Sequence, residues 1–212
     1  YNVEYVKLND KDNTGFFKTE VERTIKKYKF DHIVVTHPGE YRVLKDMQSW
    51  EQDLGIPVKI KSDDRFLCTT DEFAKWAKDR KQLRLENFYR EMRKKYSILM
   101  NGSDPVGGQW NYDSENRKPP KSGLKIPKPY SSDADGISQE VIDMVAEHFS
   151  DHFGDLEPFY FAVTRDQALQ ALHLFIEHRL KDFGNFQDAM IEGEPWMYHS
   201  HIGFYLNCGL LL

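Results

Sequence analysis

The chain has 212 residues, a hydrophobic share of 40%, a charged share of 30% and a net charge of −5. These values fit a globular protein of one large domain, or one domain plus part of another, and exclude collagen-like and disordered chains. The acidic balance excludes a chain-wide basic field for nucleic acid, so any such contact rests on a local patch.

Val3–Leu8 alternates apolar and polar residues and predicts a strand. Thr19–Tyr28 has helical spacing with a charged outer face. His32–Thr36 is a short β-branched run of the kind found in buried parallel strands. Pro38-Gly39 breaks it, and Glu40–Leu54 follows as a helix with Val43, Met47, Trp50 and Leu54 on one stripe. Gly55 is the expected residue just past its end. Val58–Ile60 is a third strand. Thr69 and Glu72 have capping-box spacing and open a helix to about Arg80, and another helix is predicted over Leu85–Tyr96. Strand and helix alternate, so the first hundred residues predict an α/β fold: a partial Rossmann-like parallel sheet with flanking helices. Open sheets usually hold about five or six strands, so the missing ones are expected before Tyr1, and the apolar stop at Gly209–Leu212 is likewise read as a cut.

Composition then changes. Asn101–Asp135 carries Gly107-Gly108 and five prolines without apolar periodicity. It is too long for an ordinary loop and predicts an interdomain linker over 101–135. Trp110 and Tyr112 need surfaces to pack on, so the linker is expected to be ordered and strapped across a domain. Helical spacing returns over 136–212, the expected start of an all-α domain. Helices are predicted over Ser138–Phe149 and over Arg165–Phe183 behind Thr164. Ala168, Leu172, Phe175 and Leu180 form the buried stripe of the second, and Gly184 ends it. Short helices are expected near Gln187–Ile191 and from Ser200.

No apolar run reaches the roughly 18 residues of a membrane span, and no secretory leader is visible. Cys68 and Cys208 form neither a disulfide framework nor a complete metal-ligand set. A cytoplasmic monomer with no membrane contact is expected. His148 and His152 share a helix face without a third ligand and read as surface histidines, so no metal site is predicted. Thr36–Arg42 joins a strand end to a helix start, where open sheets bind ligands; with no G-x-G-x-x-G beside it, ordinary turn chemistry is the commoner explanation of Pro38-Gly39. The basic stretch Lys75–Lys95, with Trp76, Phe88 and Tyr89, reads as a phosphate-tracking face or a solvated helix surface. His199-Ser200-His201 at a helix start reads as a phosphate holder or an ordinary cap. No nucleophile–His–acid pattern or Walker loop is present, so no catalytic residue is assigned.

Several segments together resemble one family. Phe66–Cys68, Asn87–Arg93, Leu99–Gly102, Pro105–Asp113 and Glu115–Arg117 are similar, in order and spacing, to deoxyribodipyrimidine photolyase-related proteins. These form the iron–sulfur bacterial cryptochrome and (6-4) photolyase branch of the photolyase superfamily. Val163–Arg165, Phe183-Gly184, Gln187–Met190 and His199–Leu211 continue the likeness. The resemblance implies an antenna domain over 1–100 that lacks its first strand, and the start of a helical FAD domain over 136–212. It implies FAD, a 6,7-dimethyl-8-ribityllumazine antenna and a [4Fe-4S] cluster whose ligands lie outside this chain. It implies light-driven electron transfer to UV-damaged DNA, with a blue-light photoreceptor as the alternative and a plain nucleotide-binding module as a third reading. Carried onto this sequence, His37, Pro38, Gly39 and Glu40 border the antenna site. His199, Ser200, Ile202 and Gly203 begin the flavin site. Many superfamily members carry Ser where Gly203 stands and Tyr where Phe186 stands. Arg117, Lys118, Lys121 and Lys125 are the expected DNA-backbone contacts. The fragment alone is expected to be inactive.

Overall fold

A computed structural model describes residues 2–120 and 123–211. Local signals set most of its elements. Thr69 accepts a hydrogen bond from the Glu72 amide at 3.2 Å while the Glu72 carboxylate accepts from the Thr69 amide at 3.1 Å. This closes the first turn of a helix. Gly55 adopts φ 65° just beyond another helix, a conformation that costs a residue without Cβ little.

The described residues are mixed helix and strand, with eight α-helices and one two-stranded parallel sheet. They divide into two compact units, Tyr1–Ile98 and Leu99–Leu212. In the first, β1 (Ile33–Thr36) and β2 (Val58–Lys61) run parallel, with Ile33 opposite Val58 and Thr36 opposite Lys61. Around them lie α1 (Phe17–Lys27), α2 (Tyr41–Leu54), α3 (Thr70–Ala77) and α4 (Leu85–Tyr96). Trp50, on the predicted stripe of α2, is 1% exposed and donates from its indole to Asp46 at 2.8 Å. Phe73, Trp76 and Phe88 pack together and tie α3 to α4.

Two expectations for this unit change. Val3–Leu8 is not a strand: among the described residues no neighbour completes its backbone pairs, and Val3 and Tyr5 are exposed. The third helix stops at Ala77 rather than near Arg80. Lys78 is extended, Asp79 turns left-handed at φ 62°, and the Arg80 side chain caps the Trp76 carbonyl at 2.6 Å.

The second unit begins with a hairpin of β3 (Met100–Asn101) and β4 (Asp104–Pro105), turned at Gly102-Ser103 with φ 62° at Gly102. A 3-10 turn at Asp113–Glu115 precedes α5 (Gly136–His148), α6 (Arg165–His178), α7 (Leu180–Phe186) and α8 (Gly203–Asn207). Asp135 caps α5, and Thr164 with Gln167 forms a capping box on α6. The core gathers Ala162, Ala168, Ala171 and Tyr205, flanked by Tyr130, Phe161 and Ile202.

The described residues of the connecting stretch are pinned at several points. Lys118 donates its amide to Asn185 at 3.0 Å, and Asn116 accepts from Asp188 at 3.1 Å. Tyr198 donates its hydroxyl to the Lys125 carbonyl at 2.9 Å, and Ser132 donates its amide to Tyr160 at 3.2 Å. The helix expected over Arg165–Phe183 breaks at Arg179, whose backbone leaves helical angles at φ −124°, ψ −35°. Leu180 is exposed, and Arg179 occupies the buried position next to it. Gly184 lies inside α7 rather than ending a helix, and residues 187–191 form a turn and bridge instead of a helix.

Candidate functional sites

Each unit presents a concavity beside expected site residues, and the two are built differently. In the first unit a cleft opens beyond the carboxyl ends of β1 and β2, where parallel strands leave backbone groups and loops free to meet a ligand. It encloses ≈ 420 Å³, and His37, Pro38, Gly39, Asp63, Phe66 and Cys68 are among its lining residues. Small-molecule pockets span roughly 300–1,000 Å³, so the cleft has room for a drug-sized ring system. The His37 amide extends the sheet by donating to the Lys61 carbonyl at 2.7 Å. Asp63 is held by Arg65 through two bonds, at 2.8 and 2.7 Å. This guanidinium keeps the Asp63 carboxyl below its ordinary range. Three of the four residues expected at the antenna site thus share one cleft. Glu40 does not join them: it precedes α2, pairs with Arg42, and lines a different depression with Phe16 and Val43.

In the second unit a tight cavity of ≈ 20 Å³ lies between the connecting stretch, α6 and the segment before α8. Its walls include Tyr130, Tyr160, Phe175, Arg179, Ser200 and His201. Of the residues expected to open the flavin site, Ser200 lines it directly. His199 contributes its backbone carbonyl, which accepts from Arg179 at 2.7 Å. Ile202 packs against the core, and Gly203 opens α8 with free space where a Cβ would stand. Phe186 stacks on Tyr198, their ring centroids 5.4 Å apart.

Burial first, and then the charges of Arg179 and His199, hold the His201 imidazole below its ordinary range. The unfolded chain therefore takes up this proton at about pH 6.5 while the folded chain still resists it. Stability from this site is complete above that pH and declines as pH falls toward the folded value. His201→Asn, which tolerates the positive φ of 55° there, should flatten the acid side of the stability profile. Denaturant titrations between pH 7 and pH 5 check this; an unchanged acid slope removes His201 from the account.

Among the DNA-contact candidates, Arg117 pairs with Asp188 at 3.2 Å and Lys118 with Glu115 at 3.7 Å. Lys125 is exposed, and Lys121 lies outside the described residues. The basic run of α3 and α4 is largely engaged within its own unit. Arg90 pairs with Glu86, Lys95 with Glu72, Arg80 lies over Trp76, and Arg93 is buried with its Nε on the Ile98 carbonyl. Among the described residues, no group of three or more His, Cys, Asp or Glu is placed to hold a metal ion. No described helix is long and apolar enough to cross a membrane.

The residues missed in the sequence include Asp63, Arg65 and Arg179. One signal was available for Arg179: it follows Ala168, Leu172 and Phe175 at helical spacing, which places a cation on an apolar stripe.

The family model of deoxyribodipyrimidine photo-lyase-related protein matches residues 1–161. The chain belongs to this family. A curated photolyase-related relative, named (6-4) photolyase, from Agrobacterium fabrum (strain C58 / ATCC 33970), is 49% identical over 211 residues. The match covers 100% of this chain and 42% of that relative, so the chain spans less than half of its length. Both concavities lie in segments shared with this photolyase-related protein.

Proposed function

We propose that this chain is part of a light-dependent, FAD-containing DNA repair protein acting on (6-4) photoproducts in UV-damaged DNA. The observation that carries this reading is the 49% identity, over the whole of this chain and 42% of the relative, to a protein named (6-4) photolyase. Residues 1–100 are the Rossmann-like antenna domain, 101–135 the linker and 136–212 the start of the all-α flavin domain. The full protein is a cytoplasmic monomer that also holds a lumazine antenna and a [4Fe-4S] cluster, the latter on ligands outside this chain.

The donor set of the second unit fits one end of a flavin nucleotide. Its cavity offers the Ser200 hydroxyl, the buried Arg179 guanidinium and aromatic walls. A volume of ≈ 20 Å³ holds one ligand oxygen and not a flavin ring. The ring is therefore assigned to residues beyond this cavity. When bound, reduced and excited, the flavin supplies the electron that splits the lesion. This chain's share is binding, orientation and exclusion of water. In the first unit, His37, Pro38 and Gly39 supply backbone and ring surface to a flat chromophore beside the Asp63–Arg65 pair.

The deciding experiment uses the full-length protein with reduced flavin and a UV-damaged oligonucleotide. Blue light should remove the (6-4) lesion, with no loss in the dark. Bound flavin without light-dependent repair favours the photoreceptor reading, and no flavin absorbance rejects both. For DNA binding, neutralising Arg117, Lys118, Lys121 and Lys125 to Gln should lower the salt slope. The slope should fall by about 0.9 for each phosphate that is no longer neutralised. Lys125 should contribute more than Arg117 and Lys118, whose charges face Asp188 and Glu115. An unchanged slope removes this stretch from the DNA interface.

A further inference from the structure

We propose that Arg179 is a positioning residue: its buried guanidinium bolts the connecting stretch to the His199–Gly203 segment and fixes that segment for ligand binding. This rests on the flavin reading above for the identity of the ligand, but the clamp itself stands on geometry.

Arg179 is 3% exposed, an unusual place for a side chain that carries a permanent charge. It sits at the break between α6 and α7, and this break places its fork between two loops. Nη1 donates to the His199 carbonyl at 2.7 Å, and Nη2 donates to the Pro127 carbonyl. The two acceptors belong to segments far apart in sequence. Among described groups, this side chain bonds both. A single planar fork that spans two carbonyls fixes their separation and their angle, which a lysine ammonium cannot do with the same geometry.

The remaining features argue against a purely structural bolt. The Nε–H is buried and has no acceptor among the described residues. Burial works against the charge, and Glu194 eases this only through space. A buried cation whose hydrogen bonds are incomplete is costly. Such groups are retained where a ligand or a mechanism uses them. Arg179 lines the same cavity as Ser200, His201 and Lys128, so its charge lies at the wall of the candidate site. A negatively charged group of a bound ligand in that cavity is the chemistry that would offset this charge.

The test uses the full-length protein with its own flavin, as wild type, Arg179→Lys and Arg179→Met. Two readouts are followed: amide hydrogen exchange at residues 125–130 and 199–206, and the rate of flavin loss after dilution. Both variants should exchange about ten-fold faster in these two segments, the effect of losing one charge-assisted bond. Exchange in α2 should stay unchanged. Flavin loss should speed up about ten-fold in Arg179→Met and less in Arg179→Lys, which restores the charge but not the fork. Should Arg179→Met fail to fold, Arg179→Lys and its exchange pattern decide. Unchanged exchange in both segments overturns the clamp. Faster exchange with unchanged flavin loss overturns the positioning role. If the wild type holds no flavin, the flavin reading fails, and positioning is then judged by whether added inorganic pyrophosphate slows exchange at 199–206 in the wild type but not in Arg179→Met. No slowing in the wild type overturns it.

Discussion

Trp50→Ala should cost about 3–5 kcal/mol in the first unit, the range for truncating a large buried aromatic. Trp50 is the most deeply buried large side chain of that unit, 1% exposed, and Ile56 just past the end of α2 is buried as well. Removing the indole leaves a cavity beneath α2 and takes away the hydrogen bond to the exposed Asp46 carboxylate, which accepts its N–H at 2.8 Å. The effect should reach the cleft. The loop His37–Glu40 runs directly into α2, so loss of the anchor under α2 loosens one wall of the strand-end site. Trp50→Phe should lose less, because most of the volume stays and only the hydrogen bond and one ring go. Amide exchange in β1, β2 and α2 measures this locally. A loss below about 1 kcal/mol, the size of an ordinary substitution, would show that the unit does not depend on this anchor.

What could be read in the sequence, and what could not, divides along a physical line. Signals carried by neighbours in the chain were legible. The Thr69–Glu72 capping box, the Thr164 cap, the αL residue Gly55 and the stripe that carries Trp50 all appear where spacing placed them. The β1–β2 pair was legible for the same reason, since β-branched runs bounded by breakers name themselves. Val3–Leu8 has the same alternation, but alternation states only which residues face one way. A strand also needs a partner, and among the described residues this run has none. Arg179 shows the opposite failure. Its spacing placed it on the buried stripe, yet its charge argued for solvent, and Leu180 took the position in the expected pattern. The fork decides the matter, because carbonyls from Pro127 and His199 give the charge its partners, and they are 52 and 20 residues away. The site shows the same limit. His37, Pro38 and Gly39 lie in one contiguous loop and were found together. Asp63 and Arg65 join them through the sheet, a step that sequence spacing does not report.

Tyr205 separates hydrogen bonding from packing in the second unit, and its two substitutions should give different losses. The side chain is 2% exposed and lies among Ala162, Ala168 and Ala171. Its hydroxyl accepts from the Ala162 amide at 2.9 Å. Tyr205→Phe keeps the ring and removes the acceptor, which leaves one buried N–H unpaired and should cost about 1–3 kcal/mol. Tyr205→Ala also empties the space between three alanines that have no longer side chains to fill it, and should cost roughly 3–5 kcal/mol. Three small neighbours make partial collapse difficult, so the upper part of that range is expected. Tyr205 also lines the cavity with Ser200 and Arg179, and α8 carries it two residues after Gly203. Tyr205→Phe should therefore speed exchange at residues 159–163 and in α8, and leave the Arg179 bonds to Pro127 and His199 intact. If exchange at 125–130 rises equally in Tyr205→Phe, the core and the Arg179 clamp are one cooperative block. If it does not, the His199–Gly203 segment is held from two independent sides, by a guanidinium at its start and by a phenol just past its end.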